Sequence, residues 1–238
     1  MRLLIVQTGS PTTPDVLALG DYDALFRAAL GGVGERATVT RPYQGQPLPN
    51  PEEYQAVLIT GSPAMVSARE PWSEKTAQWL KAVVAAGVPT LGVCYGHQLL
   101  AHALGGQVGP NPRGPEYGAI TLTEADAGSD PLFRGTLQPG DKVFTAHSET
   151  VLSLPKGAVA MAKSLADEHQ AVRYARAAWG VQFHPEFTAP FMTALLNATA
   201  KYLGRHGIDV EAAHRSVPSV SAHHGRRLLA RFAELAGA

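Results

Sequence analysis

Residues 88–98 read Val88-Pro89-Thr90-Leu91-Gly92-Val93-Cys94-Tyr95-Gly96-His97-Gln98, and the fold can be read outward from them. An apolar run ends at Val93, and a helical pattern begins at Tyr95 and stops at Gly105-Gly106. Cys94 therefore falls in a sharp turn between a strand and a helix. Glycines two before and two after it remove Cβ atoms that would collide across that turn, the logic of a nucleophile elbow with sulfur in place of oxygen. An elbow lifts its side chain above the C-terminal edge of a parallel sheet, where open α/β folds bind ligands. It also sets the thiol at a helix N-terminus, whose partial positive charge favours thiolate.

On either side, strands and helices alternate. Residues 3–7 and 56–60 are continuous apolar runs, as expected of strands covered on both faces. Residues 37–40 and 88–93 predict further strands. Residues 21–30, 70–86 and 95–104 predict helices; Gly31-Gly32 stops the first, Pro71 suits the first turn of the second, and Gly87 closes it. This rhythm predicts an α/β fold: an open, mostly parallel, flavodoxin-like sheet with helices on both faces. Segments 118–123, 142–146, 158–162, 171–174 and 179–183 predict short antiparallel or mixed strands added to the same sheet. Residues 188–203 predict a helix packing back on the core. The tail from Arg205 is polar, with one helix expected over 226–235. The domain reading is thus 1–204 as one α/β domain and 205–238 as a helical appendage packed on it.

Composition narrows the classes. At roughly 150 residues per domain, 238 residues allow one large domain or two small ones. With 45% hydrophobic and 17% charged residues the chain is not a disordered polymer. Lys+Arg and Asp+Glu are equal at 20 each, which excludes a strong global field for nucleic acid or an anionic membrane. The basic cluster His223-His224-Gly225-Arg226-Arg227 reads as a solvated helix face, and two adjacent histidines make a poor metal pair. The apolar stripe Leu228, Leu229, Phe232 and Leu235 is expected to pack either on the domain or on a second copy, as a homodimer. A single cysteine excludes an internal disulfide and a multi-cysteine metal site. No apolar run is long enough to span a membrane, and the N-terminus reads as a first strand. A cytoplasmic setting is expected, with no metal and no cofactor.

A thiol nucleophile needs a base. Of the nine histidines, His184 stands apart because it follows the strand expected over 179–183 and opens His184-Pro185-Glu186. His184 and Glu186, two apart on an extended segment, can lie on one side, and a carboxylate there holds the imidazole in the right tautomer. Thr60-Gly61-Ser62-Pro63 follows the strand over 56–60, and a turn there can aim a backbone N–H over Cys94. The N–H of Tyr95, at the helix start, would be a second donor.

The order G-x-C-x-G-H-Q, followed about 90 residues later by H-P-E, resembles the class I, triad-type glutamine amidotransferases, and most of all the glutaminase domain of GMP synthase. The resemblance runs from residue 1 to about 203. It rests on Thr60-Gly61-Ser62-Pro63, the segment 92–98 with Leu104-Gly105-Gly106 behind it, Ala146-His147-Ser148-Glu149, and the segment 180–187. It implies that Cys94 attacks the glutamine side-chain amide, that His184 carries the proton to the leaving ammonia, and that Glu186 orients His184. It implies an oxyanion hole from the N–H groups of Ser62 and Tyr95, and substrate contacts at Gly61, Gln98, His147 and Ser148. Ammonia would pass to an unknown acceptor, with a separate synthetase subunit as a partner.

Three departures qualify the likeness. The family often has Gly-Gly where this chain has Gly61-Ser62, so a positive φ at Ser62 would strain the turn. Ala146-His147-Ser148-Glu149 replaces the Ser-His-Gly-Asp usual in GMP synthase. No phosphate-binding loop or other acceptor-activating signature is present. A γ-glutamyl peptide hydrolase with the same triad is the alternative reading, since only the leaving amine differs. An intact triad argues against a non-catalytic regulator. The related elbow-cysteine hydrolases and chaperones usually place His directly after Cys, where this chain has Tyr95.

Overall fold

The computed structural model describes residues 1–237, apart from the side chains of Ala222 and His223. In chain order the elements are β1 (Leu3–Val6), α1 (Pro14–Leu17), α2 (Tyr22–Leu30), α3 (Gly32–Glu35), β2 (Thr38–Thr40), β3 (Ala56–Ile59), α4 (Pro71–Ala85), β4 (Thr90–Val93), α5 (Tyr95–Ala103), β5 (Gln107–Pro110), β6 (Glu116–Thr121), β7 (Glu124–Ala125), β8 (Lys142–His147), β9 (Glu149–Ser153), β10 (Val159–Lys163), β11 (Ala171–Ala175), β12 (Ala178–Val181), α6 (Ala189–Arg205), α7 (Val210–Ser216) and α8 (Ala222–Leu235). Eight strands form one sheet in the order β2-β1-β3-β4-β12-β11-β10-β7. The five from β2 to β12 are parallel neighbours; β11, β10 and β7 continue antiparallel.

The buried strands alternate between two cores because successive side chains point to opposite faces. Leu3 and Ile5 of β1 and Leu58 of β3 join Phe26 of α2 and Leu228, Leu229 and Phe232 of α8 on one face. Leu4 and Val6 of β1 and Val57 and Ile59 of β3 join Leu80 and Val83 of α4 and Leu99 and Leu100 of α5 on the other. A third apolar cluster, with Val16, Tyr22, Phe144, Phe187, Phe191 and Leu196, ties α6 to α1 and α2.

Three expectations change. Segments 118–123 and 142–146 do not join the main sheet; β6 and β8 pair with each other as a separate antiparallel ribbon. On the side of the sheet where the antiparallel strands are added, β7 takes the place next to β10. The polar tail holds two helices rather than one, and α7 is a single capped unit in which the Asp209 carboxylate accepts from the Ala212 N–H. The apolar stripe of α8 is spent inside the chain: Leu228, Leu229 and Phe232 are fully buried, each worth roughly 1.5–3 kcal/mol. That removes the basis for a homodimer through this face. The expectation for His223 falls on a side chain outside the described residues.

Gly225 of α8 packs on the backbone of Pro185, and a Cβ there would collide with the Pro185 carbonyl. Helix propensity alone favours alanine over glycine by about 1 kcal/mol. Gly225→Ala is instead expected to destabilise the protein and to displace the turn carrying His184 and Glu186. A lowered urea midpoint together with slower labelling of Cys94 by a thiol electrophile checks this; an unchanged or raised midpoint contradicts it.

Candidate active site

Cys94 occupies the elbow with φ 51° and ψ −106°, a conformation disfavoured for a residue with a Cβ. Such a backbone stores on the order of 1–3 kcal/mol and persists only where its surroundings dictate it. They do so here. The Cys94 N–H donates to the Val181 carbonyl at 2.8 Å and the Gly96 N–H to the Thr60 carbonyl at 3.1 Å. A Cβ on Gly92 would collide with the Gly96 carbonyl, and one on Gly96 with the Ile59 carbonyl. The two elbow glycines thus let α5 cross directly behind β3 and β4.

The same sheet edge delivers the base. His184 lies just beyond β12, the parallel neighbour of β4, and its N–H is held by the Phe144 carbonyl of β8 at 2.8 Å. Its Nδ1 lies 2.8 Å from Glu186 Oε1, which leaves Nε2 as the free ring nitrogen in the cavity that His184 lines with Cys94. Phe187 stacks on the imidazole at 3.8 Å. Burial lowers the His184 pKa, but the negative charges of Glu186 and Cys94 and their hydrogen bonds outweigh it, and it is pushed up to about 10. A buried imidazolium that keeps its Nδ1 proton toward Glu186 is the state that geometry favours.

The turn after β3 presents a preset donor. The Gly61 carbonyl accepts from Thr8 Oγ1 at 3.0 Å and Thr60 Oγ1 at 2.9 Å. In a trans peptide the N–H points opposite to the carbonyl, so the Ser62 N–H is turned away from the threonines, and Ser62 lines the cavity with Cys94. Ser62 Oγ donates to the Thr8 carbonyl at 2.8 Å. The turn does not need a positive φ at Ser62: Arg69 and Cys94 are the non-glycine residues with positive φ among the described residues. The threonine hydroxyls satisfy the Gly61 carbonyl without it. The Tyr95 N–H belongs to the first turn of α5 and has no intrahelical acceptor. The Tyr95 ring is engaged elsewhere, its hydroxyl 2.6 Å from Ser73 Oγ and its face stacked on Trp72. Thr8 escaped the sequence reading, although Thr8-Gly9-Ser10-Pro11 repeats Thr60-Gly61-Ser62-Pro63 after a neighbouring strand.

Gln98, His147 and Ser148 all line the cavity with Cys94, but their side chains face inward as well. Gln98 Nε2 donates to the Glu149 carbonyl at 2.7 Å and to Gln182 Oε1 at 2.9 Å. Ser148 Oγ is 2.8 Å from the Tyr202 hydroxyl. His147 has Nδ1 2.9 Å from the Glu149 carbonyl and Nε2 3.0 Å from Glu116 Oε2. Both partners are acceptors, so both ring nitrogens donate and His147 is an imidazolium paired with Glu116. Burial works against that charge, but the Glu116 hydrogen bond and charge raise its pKa above the usual value. The ring therefore has no nitrogen to offer a ligand, and its part is to fix the 146–149 segment. Glu116 is the hub, accepting also from Ser164 Oγ at 2.7 Å and Gln170 Nε2 at 2.6 Å. It was missed because its partners lie between 31 and 54 residues away.

The cavity measures about 170 Å³ and opens between these groups and the α1–α6 side of the molecule. Among the described residues, no group of three or more His, Cys, Asp and Glu side chains is placed to hold a metal ion, and no helix is long and apolar enough to cross a membrane.

Fold and site together define an α/β protein with an elbow cysteine backed by a buried His–Glu pair. The model of the class-I glutamine amidotransferases matches residues 25–199. Over 168 residues, 70% of the chain, it is 36% identical to a glutamine-hydrolysing GMP synthase subunit of Ignicoccus hospitalis, of which the match covers 84%. It is 38% identical over 134 residues to the GMP synthase of Syntrophomonas wolfei, but spans only 24% of that longer chain. A solved glutamine amidotransferase from Thermotoga maritima superimposes with a TM-score of 0.75, over 99% of this chain and 97% of that one, at 22% identity, which is a likeness of fold. The chain belongs to the class-I glutamine amidotransferase family.

Two outcomes follow from the supports under the site. Thr8→Val removes the hydroxyl that turns the Gly61 carbonyl inward; amide hydrolysis is expected to lose about ten- to hundred-fold in kcat, less than the full loss of an oxyanion donor, with KM little changed. An unchanged kcat contradicts the clamp. Glu116→Gln leaves His147 without its counter-charge and is expected to cost about 3–5 kcal/mol near pH 6. Because the folded pKa of His147 is raised, the pair stabilises fully below the ordinary histidine pKa and less as pH rises through the raised value. The stability gap between wild type and Glu116→Gln, read by urea denaturation, is therefore expected to shrink at alkaline pH.

Proposed function

We propose that this chain hydrolyses the side-chain amide of glutamine through a γ-glutamyl thioester on Cys94 and releases ammonia. The observation that supports this reading is the buried His184–Glu186 pair, with His184 lining the same cavity as the elbow Cys94. Cys94 Sγ attacks the amide carbon while the carbonyl oxygen takes the N–H groups of Ser62 and Tyr95. His184 gives its proton to the amide nitrogen, the C–N bond breaks, and ammonia leaves. Water then attacks the thioester with His184 as base, and glutamate departs. Glu186 keeps Nδ1 protonated throughout, so that Nε2 faces the reaction. The 146–149 segment and Gln98 would hold the amino-acid end of the substrate. In this reading residues 1–204 supply the chemistry and residues 205–238 brace it.

The likeness to a glutamine-hydrolysing subunit of GMP synthase supports a separate synthetase as the ammonia acceptor, and the sequence carries no acceptor-activating motif of its own. A free thiol nucleophile supports a reducing compartment such as the cytoplasm.

Glutamate release from L-glutamine by the purified chain tests the reading. Cys94→Ala is expected to abolish it, and Glu186→Gln to lower kcat on the order of 10²–10⁴-fold. A Cys94→Ala protein that still turns over overturns the assignment. The pH profile adds a second check. His184 must be protonated to release the amine, and its pKa is raised to about 10. Activity should therefore persist through neutral pH and fall only as pH approaches that value; a falling limb near pH 6.5, the ordinary histidine pKa, contradicts the buried relay.

A further inference from the structure

The segment after β8 carries two adjacent side chains with partners on different elements. The Glu149 carboxylate accepts the Ser67 N–H at 3.2 Å, in the stretch between β3 and α4. Ser148 instead meets α6, where its Oγ lies 2.8 Å from the hydroxyl of Tyr202. Ser148 and Glu149 both line the cavity with Cys94, and Tyr202 is not among the residues lining it. Tyr202 also lies beyond residues 25–199, the stretch matched by the family model.

Side-chain donors are scarce on this wall. His147 spends both ring nitrogens on the Glu149 carbonyl and on Glu116. Gln98 Nε2 serves the Glu149 carbonyl and Gln182 Oε1, which takes both of its protons. Thr199 Oγ1 donates back to the Leu195 carbonyl at 2.7 Å. For Ser148 the direction of the hydrogen bond is set by its partner. A phenol is a far stronger acid than an aliphatic alcohol, and its oxygen is the poorer acceptor, because a lone pair is delocalised into the ring. In this pair the Tyr202 phenol therefore donates and the serine oxygen accepts. A serine hydroxyl has one proton, and it is then left over. The Tyr202 ring is packed against His206 at 4.3 Å and Tyr117 at 6.4 Å, which hold it in place. Tyr117 lines the cavity as well; burial pushes its phenol up to about 12, so no phenolate opposes an anion there.

We propose that Tyr202 is a positioning residue, which leaves the Ser148 proton to the cavity as a donor for the α-carboxylate of the amino-acid substrate. The proposal deepens the amide-hydrolysis reading and rests on it. The α-ammonium then belongs on the Glu149 side, where a carboxylate meets it. Neither α-substituent changes its bonding in the reaction, so the pair acts on ground state and transition state alike, and on KM rather than kcat.

The test measures ammonia release by the purified chain from L-glutamine and from its α-carboxamide, in which a neutral group replaces the carboxylate. Tyr202→Phe is expected to raise KM for L-glutamine about five- to twenty-fold, a share of what a hydrogen bond to a charged group is worth. Its kcat, and its KM for the carboxamide, should stay within about two-fold. In a Ser148→Ala background the same substitution should move KM for L-glutamine by less than about two-fold, because its effect runs through the serine. A merely structural role would move both substrates and both backgrounds alike. Phe191, Leu196 and Leu203 of α6 are fully buried and anchor the helix without Tyr202. Should Tyr202→Phe still fail to fold, Tyr202→Leu, which also removes the hydroxyl, takes its place. An unchanged KM for L-glutamine, or an equal rise for both substrates or in both backgrounds, overturns the proposal and leaves the amide-hydrolysis reading standing. Turnover that survives in Cys94→Ala, or no turnover with no labelling of Cys94 by a glutamine-mimicking electrophile, overturns both. If Cys94 is labelled without turnover, the concentration for half-maximal labelling, by electrophiles with and without the α-carboxylate, replaces KM in the same comparison.

Discussion

Everything at the site hangs on one steric fact, the close passage of α5 behind β3 and β4 at the Cys94 elbow. With Gly92 against the Gly96 carbonyl and Gly96 against Ile59, the helix begins within one residue of the strand end. The backbone must then enter a disfavoured conformation at Cys94, and the thiol is pushed out above the sheet. That placement puts sulfur within reach of the loop after β12, because β12 is the parallel neighbour of β4. A looser turn would relieve the strain and lose the alignment.

The groups around the thiol are held by buried polar networks rather than by their own stiffness. Thr8 and Thr60 fix the Gly61–Ser62 peptide plane by holding its carbonyl. Glu116 and His147 fix the segment that closes the opposite side. Burying such groups is costly unless every partner is present. The supports therefore act as units, and a change at a residue remote from the cavity can misplace an N–H inside it. Preset donors of this kind need no reorganisation when charge develops, which is where most electrostatic rate enhancement comes from.

The C-terminal segment lies beyond the stretch matched by the family model yet is part of the core. The apolar stripe of α8 completes one face of the sheet, and Gly225 presses on Pro185 between the base and its carboxylate. Stability and the geometry of the His–Glu pair are coupled through that contact. On the other side, α6 borders the cavity with Leu195 and Ala198, so the helix that closes the fold also bounds the candidate site.

The amino-acid sequence by itself determined the alternating strands and helices, the elbow, and the triad of Cys94, His184 and Glu186. These are legible because they depend on short-range patterns: apolar runs, glycines at fixed offsets, and two side chains two residues apart. The turns after two strands also pointed to Ser62 and Tyr95, and the family resemblance to Gln98, His147 and Ser148, all of which line the cavity. Only the tertiary structure decided what those residues offer. His147 and Gln98 turn polar atoms to partners 31 and 84 residues away, and no local pattern encodes such a pairing. The separate β6–β8 ribbon, the Glu116 hub and the clamp from Thr8 are likewise properties of distant segments brought together. Local propensity and periodicity carry a few residues of information, whereas a cavity wall is the sum of long-range contacts that exist only once the sheet has closed.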